Sequence, residues 1–167
     1  MNKHFLKIGF LAAILLSTAC TSDSENDDTT NLAQLQADVE ELTQTARSGE
    51  WTITNFVDDG ADETTDFAGY DFTFNPDGSL VADNGTSTVV GTWSITIDDH
   101  SSDDSDDDGM NDDDDDEIEF NIFFASPQSF NELSEDWDII SFSSETIQLI
   151  DDDDDGDGTT DLLTFEK

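Results

Sequence analysis

Residues 88–98 read TVVGTWSITID, and this stretch is the strongest indication of the fold. Side chains of an extended chain point alternately to opposite faces, so every second residue here shares a face. One face would carry Val89, Gly91, Trp93, Ile95 and Ile97, and the other would carry Thr92, Ser94 and Thr96. This period of two is typical of a strand in an antiparallel sheet that is covered on one side.

Seven further stretches have the composition of strands. They are 51–57, 70–75, 79–83, 117–125, 137–143, 146–150 and 162–167. Short connections join several of them, and the turns at 75–78 (NPDG) and 83–85 (DNG) place Gly where a tight turn needs positive φ. Strands joined in series predict an all-β fold, an eight-stranded antiparallel meander closed into a barrel. A two-sheet β-sandwich is the alternative.

A short amphipathic helix is predicted before the barrel, over residues 30–48. Its apolar residues recur at spacings of three and four, which places them on one helical face. They are Leu32, Leu35, Val39, Leu42 and Ala46. Thr30 or Asn31 can cap the start of the helix, and Gly49 can end it. We expect its apolar face to pack against the β domain, which spans residues 49–167.

Residues 1–19 are predicted to be a lipoprotein signal peptide. Lys3 and Lys7 accompany an apolar run over 8–16 that is too short to span a bilayer. The run LSTAC at 16–20 resembles the bacterial lipobox, in which the cysteine becomes the acylated N-terminus. The resemblance implies that lipid on Cys20 attaches the chain to a membrane.

Residues 20–29 are small, polar and acidic, which predicts a solvated, lipid-anchored tether. A short acidic stretch after the lipidated cysteine also resembles the surface-export signal of Bacteroidota lipoproteins. That resemblance implies an outer-membrane protein exposed on the cell surface. A lipoprotein that faces the periplasm is the alternative.

Charge and cysteine content exclude several classes of function. The chain has 43 Asp and Glu against four Lys and Arg, a formal net charge of −39. Nucleic acid is excluded as a partner because phosphate binding needs clustered Lys and Arg. Electrostatic docking onto anionic lipid is excluded for the same reason. A single cysteine excludes a disulfide framework and a cysteine-based zinc site.

Two short motifs and several longer stretches carry a family resemblance. Gly49 and Trp51 open the first strand after the helix, and Gly91 and Trp93 repeat the spacing in the fourth strand. The first pair is similar to the Gly-x-Trp signature of lipocalins. Together with 70–80, 91–95, 137–142 and 162–167, the chain resembles the lipocalin-like lipoproteins of Bacteroidota over roughly 48–167.

The resemblance implies a barrel that often holds a small apolar ligand. True lipocalins place an Arg from the last strand over the signature Trp, whereas here only Lys167 is available. Six aromatic residues could line a ligand cavity: Phe72, Phe74, Trp93, Phe120, Phe124 and Trp137. The same residues could instead fill the core, since the side chains of a small barrel can close its interior.

Two acidic loops, 99–116 and 151–161, interrupt the strands. Each contains the pattern Asp-x-Asp-x-Asp-Gly-x-x-Asp, and alternating carboxylates around a Gly bend can converge on calcium. The candidate ligands are Asp104, Asp106, Asp108, Asp112 and Asp115 in the first loop and Asp153, Asp155, Asp157 and Asp161 in the second. A solvated acidic insert that binds no specific ion is the alternative. In a meander the two loops would leave opposite ends of the barrel.

We expect no catalytic site. A Ser-His-Asp or Cys-His arrangement would need His100, which lies in an acidic loop that cannot readily hold a nucleophile and a base together. Glu132, Glu135 and Asp136 lie near Trp137 and could form a carboxylate pair. In so acidic a chain, a polar turn before a strand explains them equally well.

Three functions follow from the sequence. The first is a cell-envelope lipoprotein whose barrel binds a small apolar ligand. The second is a calcium-binding acidic surface module. The third is a passive surface lipoprotein or an accessory subunit of an envelope complex.

The predicted anchor and tether make surface exposure testable. Protease added to intact cells should degrade the chain, because the export signal would place it outside the outer membrane. Immunoblotting before and after lysis measures this. A chain that is fully protected until lysis would instead face the periplasm.

Overall fold

The computed structural model describes residues 27–98, 117–152 and 160–167. Its elements, in chain order, are α1 (Asp27–Ala46), β1 (Glu50–Asp58), β2 (Ala61–Asp62), a 3₁₀ helix (Thr64–Phe67), β3 (Asp71–Phe74), β4 (Ser79–Asp83), β5 (Thr88–Asp98), β6 (Glu117–Phe123), α2 (Gln128–Asn131), β7 (Asp136–Phe142), β8 (Thr146–Asp152) and β9 (Thr160–Glu166). No helix among these residues is long and apolar enough to cross a membrane.

The strands form a closed antiparallel barrel. Each strand from β3 to β8 pairs with the next one in sequence, and β1 pairs with both β3 and β9. The closing pair matches Thr52 with Glu166 and Val57 with Leu162, with a bulge between Ile53 and Asn55. The predicted eight-stranded meander barrel is therefore confirmed, and the sandwich alternative is wrong.

One strand was not predicted. β2 pairs with the last residues of β1 across a turn in which Asp59 and Gly60 have φ of 49° and 74°. An Asp-Gly pair with positive φ at both residues is favoured in two-residue hairpins. The dipeptide at 59–60 was therefore a usable signal, but a strand of two residues has no period to detect.

The helix was predicted over 30–48, and α1 spans Asp27–Ala46. Just after the last turn, Ser48 Oγ donates a hydrogen bond of 2.6 Å to the Thr45 carbonyl. Gly49 follows with a φ of 148°. Leu42 and Ala46 are fully buried, and α1 lies against β5 and β6. The predicted packing of the helix on the barrel is confirmed for Leu42 and Ala46, whereas Leu32, near the start of the same face, is 43% exposed.

Strand β5 presents its residues as the period of two predicts. Gly91 and Trp93 are buried in the barrel, whereas Thr92, Ser94 and Thr96 are exposed. At the end of β6 the neighbours Phe123 and Phe124 point in opposite directions, with exposed fractions of 56% and 0%.

Lys167 and α1 close one end of the barrel, which we call the Lys167 end. The Lys167 ammonium lies 4.3 Å from the centroid of the Trp51 ring, a cation–π contact. It also donates hydrogen bonds of 2.7 Å to Ser48 Oγ and to the Ser144 carbonyl. The Trp51 indole in turn donates to the Ala46 carbonyl at 2.8 Å. Lys167 thus lies over the tryptophan of the first Gly-x-Trp motif.

The second cation makes an equivalent contact. The Arg47 guanidinium carbon lies 5.5 Å from the centroid of the Trp93 ring. Arg47 and Lys167 are the only Lys or Arg after residue 19. Each therefore lies over the tryptophan of one Gly-x-Trp motif.

Gly91 is required by close packing rather than by a turn. A Cβ there would lie 2.6 Å from Phe124 Cδ1 and closer still to the Phe123 carbonyl oxygen.

We predict that Gly91→Ala lowers the free energy of unfolding by about 1–3 kcal/mol, the usual cost of overpacking a core. Chemical denaturation with Thr92→Val as control measures this. Because Thr92 is exposed on the same strand, its variant should differ from wild type by about 0.5 kcal/mol or less. Equal stability of the two variants would contradict the packing.

Candidate functional site

All six residues predicted to line a ligand cavity lie in the barrel core. Five of them are at most 1% exposed, and Trp93 is 6% exposed. Phe74 has ring-centroid distances of 5.2 Å to Trp93 and 5.5 Å to Phe120, both edge-on. Such distances are those of rings in direct contact. These three rings therefore contact one another within the barrel core.

Two of the other three residues pack against a residue that sequence reasoning missed. Phe130, in α2, lies 6.1 Å from Phe72 and 5.1 Å from Phe124, centroid to centroid. Phe67 of the 3₁₀ helix lies 5.3 Å from Phe130. Both residues are in segments whose polar composition predicts turns. A phenylalanine within each polar segment was the available signal.

A groove of about 360 Å³ lies between α1 and the barrel. It is lined by Leu35, Glu117, Ile118, Asp138 and Ile139. None of the six predicted ligand-lining residues contributes to this wall. The groove is therefore separate from the predicted ligand site.

Most of the predicted calcium ligands lie outside the described residues. These are Asp104, Asp106, Asp108, Asp112, Asp115, Asp153, Asp155 and Asp157, and His100 lies outside them as well. Strands β5 and β8, which precede the two acidic loops, run in opposite directions and finish at opposite ends of the barrel, as the meander predicts. Asp161 is described and lies on β9.

Asp161 lies beside acidic residues that sequence reasoning did not single out as ligands. Carboxylate oxygens of Asp58, Glu63 and Glu132 all lie within 4.8 Å of one another. Asp161 hydrogen-bonds with the Asp58 carboxyl and accepts a hydrogen bond of 2.9 Å from the Asp59 backbone N–H. We call these four residues, Asp58, Glu63, Glu132 and Asp161, the rim cluster, and their end of the barrel the Asp161 end.

Each member of the rim cluster comes from a different segment. Asp58 is the last residue of β1, and Asp161 is on the strand that pairs with it. The backbone N–H of Glu63 donates a hydrogen bond of 2.9 Å to the carbonyl of Phe56, which holds Glu63 against β1. Glu132 follows α2, which Phe130 anchors in the core. The cluster thus joins segments that are far apart in sequence, which is why no local motif reveals it.

Crowding changes the acidity of the cluster. The pKa of Asp58 is raised from 3.8 to about 6, first by burial and then by the hydrogen bond and negative charge of Asp161. The pKa of Glu63 is also raised, chiefly by its hydrogen bond with Glu132. A carboxyl group can hydrogen-bond to a carboxylate only if one of the two keeps a proton.

The cluster has the donor chemistry of a hard-cation site. Calcium prefers six to eight oxygen ligands and accepts carboxylates with one or both oxygens. Three carboxylates within 4.8 Å could supply several of these ligands.

The nearby acids considered for catalysis separate from one another, because Glu132 joins the rim cluster while Asp136 pairs with Asn121 along β7.

No protein-family model, curated protein or solved structure matches this chain. What the chain does must therefore be inferred from its own residues and their geometry.

The raised pKa of Asp58 predicts a pH-dependent stability difference. The folded chain holds this proton to a higher pH than the unfolded chain, so the stabilisation is complete below pH 3.8 and is lost as the pH rises through about 6. Asp58→Asn should therefore melt at a higher temperature than wild type above pH 6, and the difference should shrink toward pH 4. Thermal melts between pH 4 and pH 8 measure this. Asp136→Asn, exposed on β7, is the control. A constant difference across this range would show that Asp58 is not crowded.

Proposed function

We propose that this chain is a lipid-anchored, non-catalytic protein of the cell envelope whose lipocalin-like barrel binds calcium at the rim cluster. The lipobox-like run before Cys20 and the acidic tether support an anchored location on the cell surface. The closed meander with Lys167 over the Gly-x-Trp tryptophan supports the lipocalin-like assignment.

The packed interior favours a scaffold over a container for a small apolar ligand. Phe74, Trp93 and Phe120 contact one another, and Phe130 packs against the opposite part of the ring set. A ligand could enter only by displacing rings that already contact each other. Core side chains are packed at the density of organic crystals, and repacking them is costly.

The convergence of Asp58, Glu63 and Glu132 is the observation that carries the calcium proposal. Like charges held this close repel each other, and the two cationic side chains after residue 19 both lie over tryptophan rings. A divalent cation bound by these carboxylates would offset their mutual repulsion. Calcium suits the site better than magnesium, because magnesium demands near-ideal octahedral geometry and gives up water reluctantly.

The proposed location is consistent with a weak site. Extracellular modules typically bind calcium with Kd values on the order of 0.1–1 mM. A cluster of three half-buried carboxylates therefore does not need a Kd below this range. Calcium would then act structurally, by holding β1, the segment after β2 and the segment after α2 together.

Thermal melts of the full chain test the proposal. CaCl₂ should raise the melting temperature of wild type saturably, and more than MgCl₂ or NaCl at equal ionic strength, because a ligand of the folded state stabilises it by mass action. Glu132→Gln should raise the half-saturating calcium concentration at least tenfold. Glu145→Gln, an exposed glutamate at the Lys167 end, should behave like wild type.

Two outcomes would contradict the proposal. Equal effects of all three salts would mean simple screening of charge. An unchanged calcium response in Glu132→Gln would place the ion elsewhere on the chain.

A further inference from the structure

Strand β5 extends beyond its neighbour β4. The last pair in the ladder between them joins Ser79 to Thr92, and the chain turns away from β5 at 75–78. From Ser94 to Asp98, β5 pairs only with β6. One edge of this five-residue segment therefore faces no strand of the described barrel.

The free edge offers two residues with unbonded backbone groups. The Trp93 backbone N–H donates to the Gly78 carbonyl at 2.9 Å, so odd-numbered residues of β5 point toward the β4 side. Because backbone groups of an antiparallel strand alternate in direction, Ile95 and Ile97 point the same way. Within residues 27–98, 117–152 and 160–167, neither has a hydrogen-bond partner on that side. They present two donors and two acceptors to a further strand.

We infer that this edge binds an extended polypeptide segment of a partner protein by strand addition, and that the segment alternates basic and apolar residues. An open sheet edge is a template for strand pairing. Backbone hydrogen bonds supply affinity in such complexes, and alternate side chains supply specificity.

The two faces beside the edge define the alternation. On the outer face Asp98 lies directly opposite Glu117, and like charges at such a position destabilise a strand pair. Glu119 lies next along this face, where it accepts a hydrogen bond from Thr96 Oγ1. Lysine or arginine in the added strand would be attracted by this acidic face. On the other face Ile95 and Ile97 are half-buried, so apolar side chains fit there.

Charge also argues against a second copy of this chain as the occupant. Edge-to-edge pairing of two copies would bring two sets of these acids together. With 43 acids against four cations, the chain has little positive charge to offset that repulsion. The edge lies at the Lys167 end, opposite the rim cluster, so this inference does not depend on the calcium proposal.

A labelled, end-capped octapeptide of alternating Lys and Val is the probe. Fluorescence anisotropy with the full chain at about 150 mM NaCl, where exposed charges more than about 8 Å apart are screened, should show saturable binding. Ile97→Pro should weaken binding at least tenfold, because proline removes the edge donor while the β6 ladder bonds of Thr96 and Asp98 remain. Ile97→Thr keeps the backbone donor and a branched side chain, so its affinity should stay within threefold of wild type.

A second comparison uses the wild-type chain alone and so does not depend on the folding of a variant. The same peptide with alternate amides N-methylated keeps its charge but cannot pair along one edge, and it should bind at least tenfold more weakly. Equal binding of the two peptides, or no saturable binding, would overturn the inference. Dimers in sedimentation that disappear in Ile97→Pro would overturn it in favour of a second copy.

Discussion

Pairing of β1 with β9 closes the sheet, and the rest of the structure depends on this contact. At the Lys167 end, closure is favourable, because the last residue lies over Trp51 and joins the end of α1 to the turn between β7 and β8. At the Asp161 end, the same pairing forces Asp161 against Asp58. A single constraint therefore creates a stabilised end and a crowded one.

The distribution of charge makes the crowded end distinctive. Arg47 and Lys167, the only Lys and Arg after residue 19, both cover tryptophan rings, and neither belongs to the rim cluster. The cluster must then be relieved by protons, by ions from solution or by movement of its segments. The raised pKa values of Asp58 and Glu63 correspond to the first of these, and the proposed calcium would be the second.

The barrel could be predicted from the sequence because its signals are local. The alternation in 88–98 defines the buried face of β5, and the Gly residues at 78 and 85 mark turns that the structure contains, with φ of 83° and 77°. The rim cluster could not be predicted, since Glu63 and Glu132 are far apart in sequence and meet only in the folded chain. Phe67 and Phe130 were missed because short helices in polar segments carry no period. The free edge of β5 could not be predicted either. It depends on how far β5 extends beyond β4, and not on the residue types in either strand.

The measurement that tests this account most directly is the titration of the Asp58 carboxyl carbon by NMR in the full chain. Without calcium, we expect a midpoint near 6, because closure places Asp161 beside Asp58. With saturating calcium, we expect a lower midpoint, because a nearby cation favours the charged form. A midpoint near 4 without calcium, the ordinary value for aspartate, would contradict the account, as would a midpoint near 6 that calcium leaves unchanged.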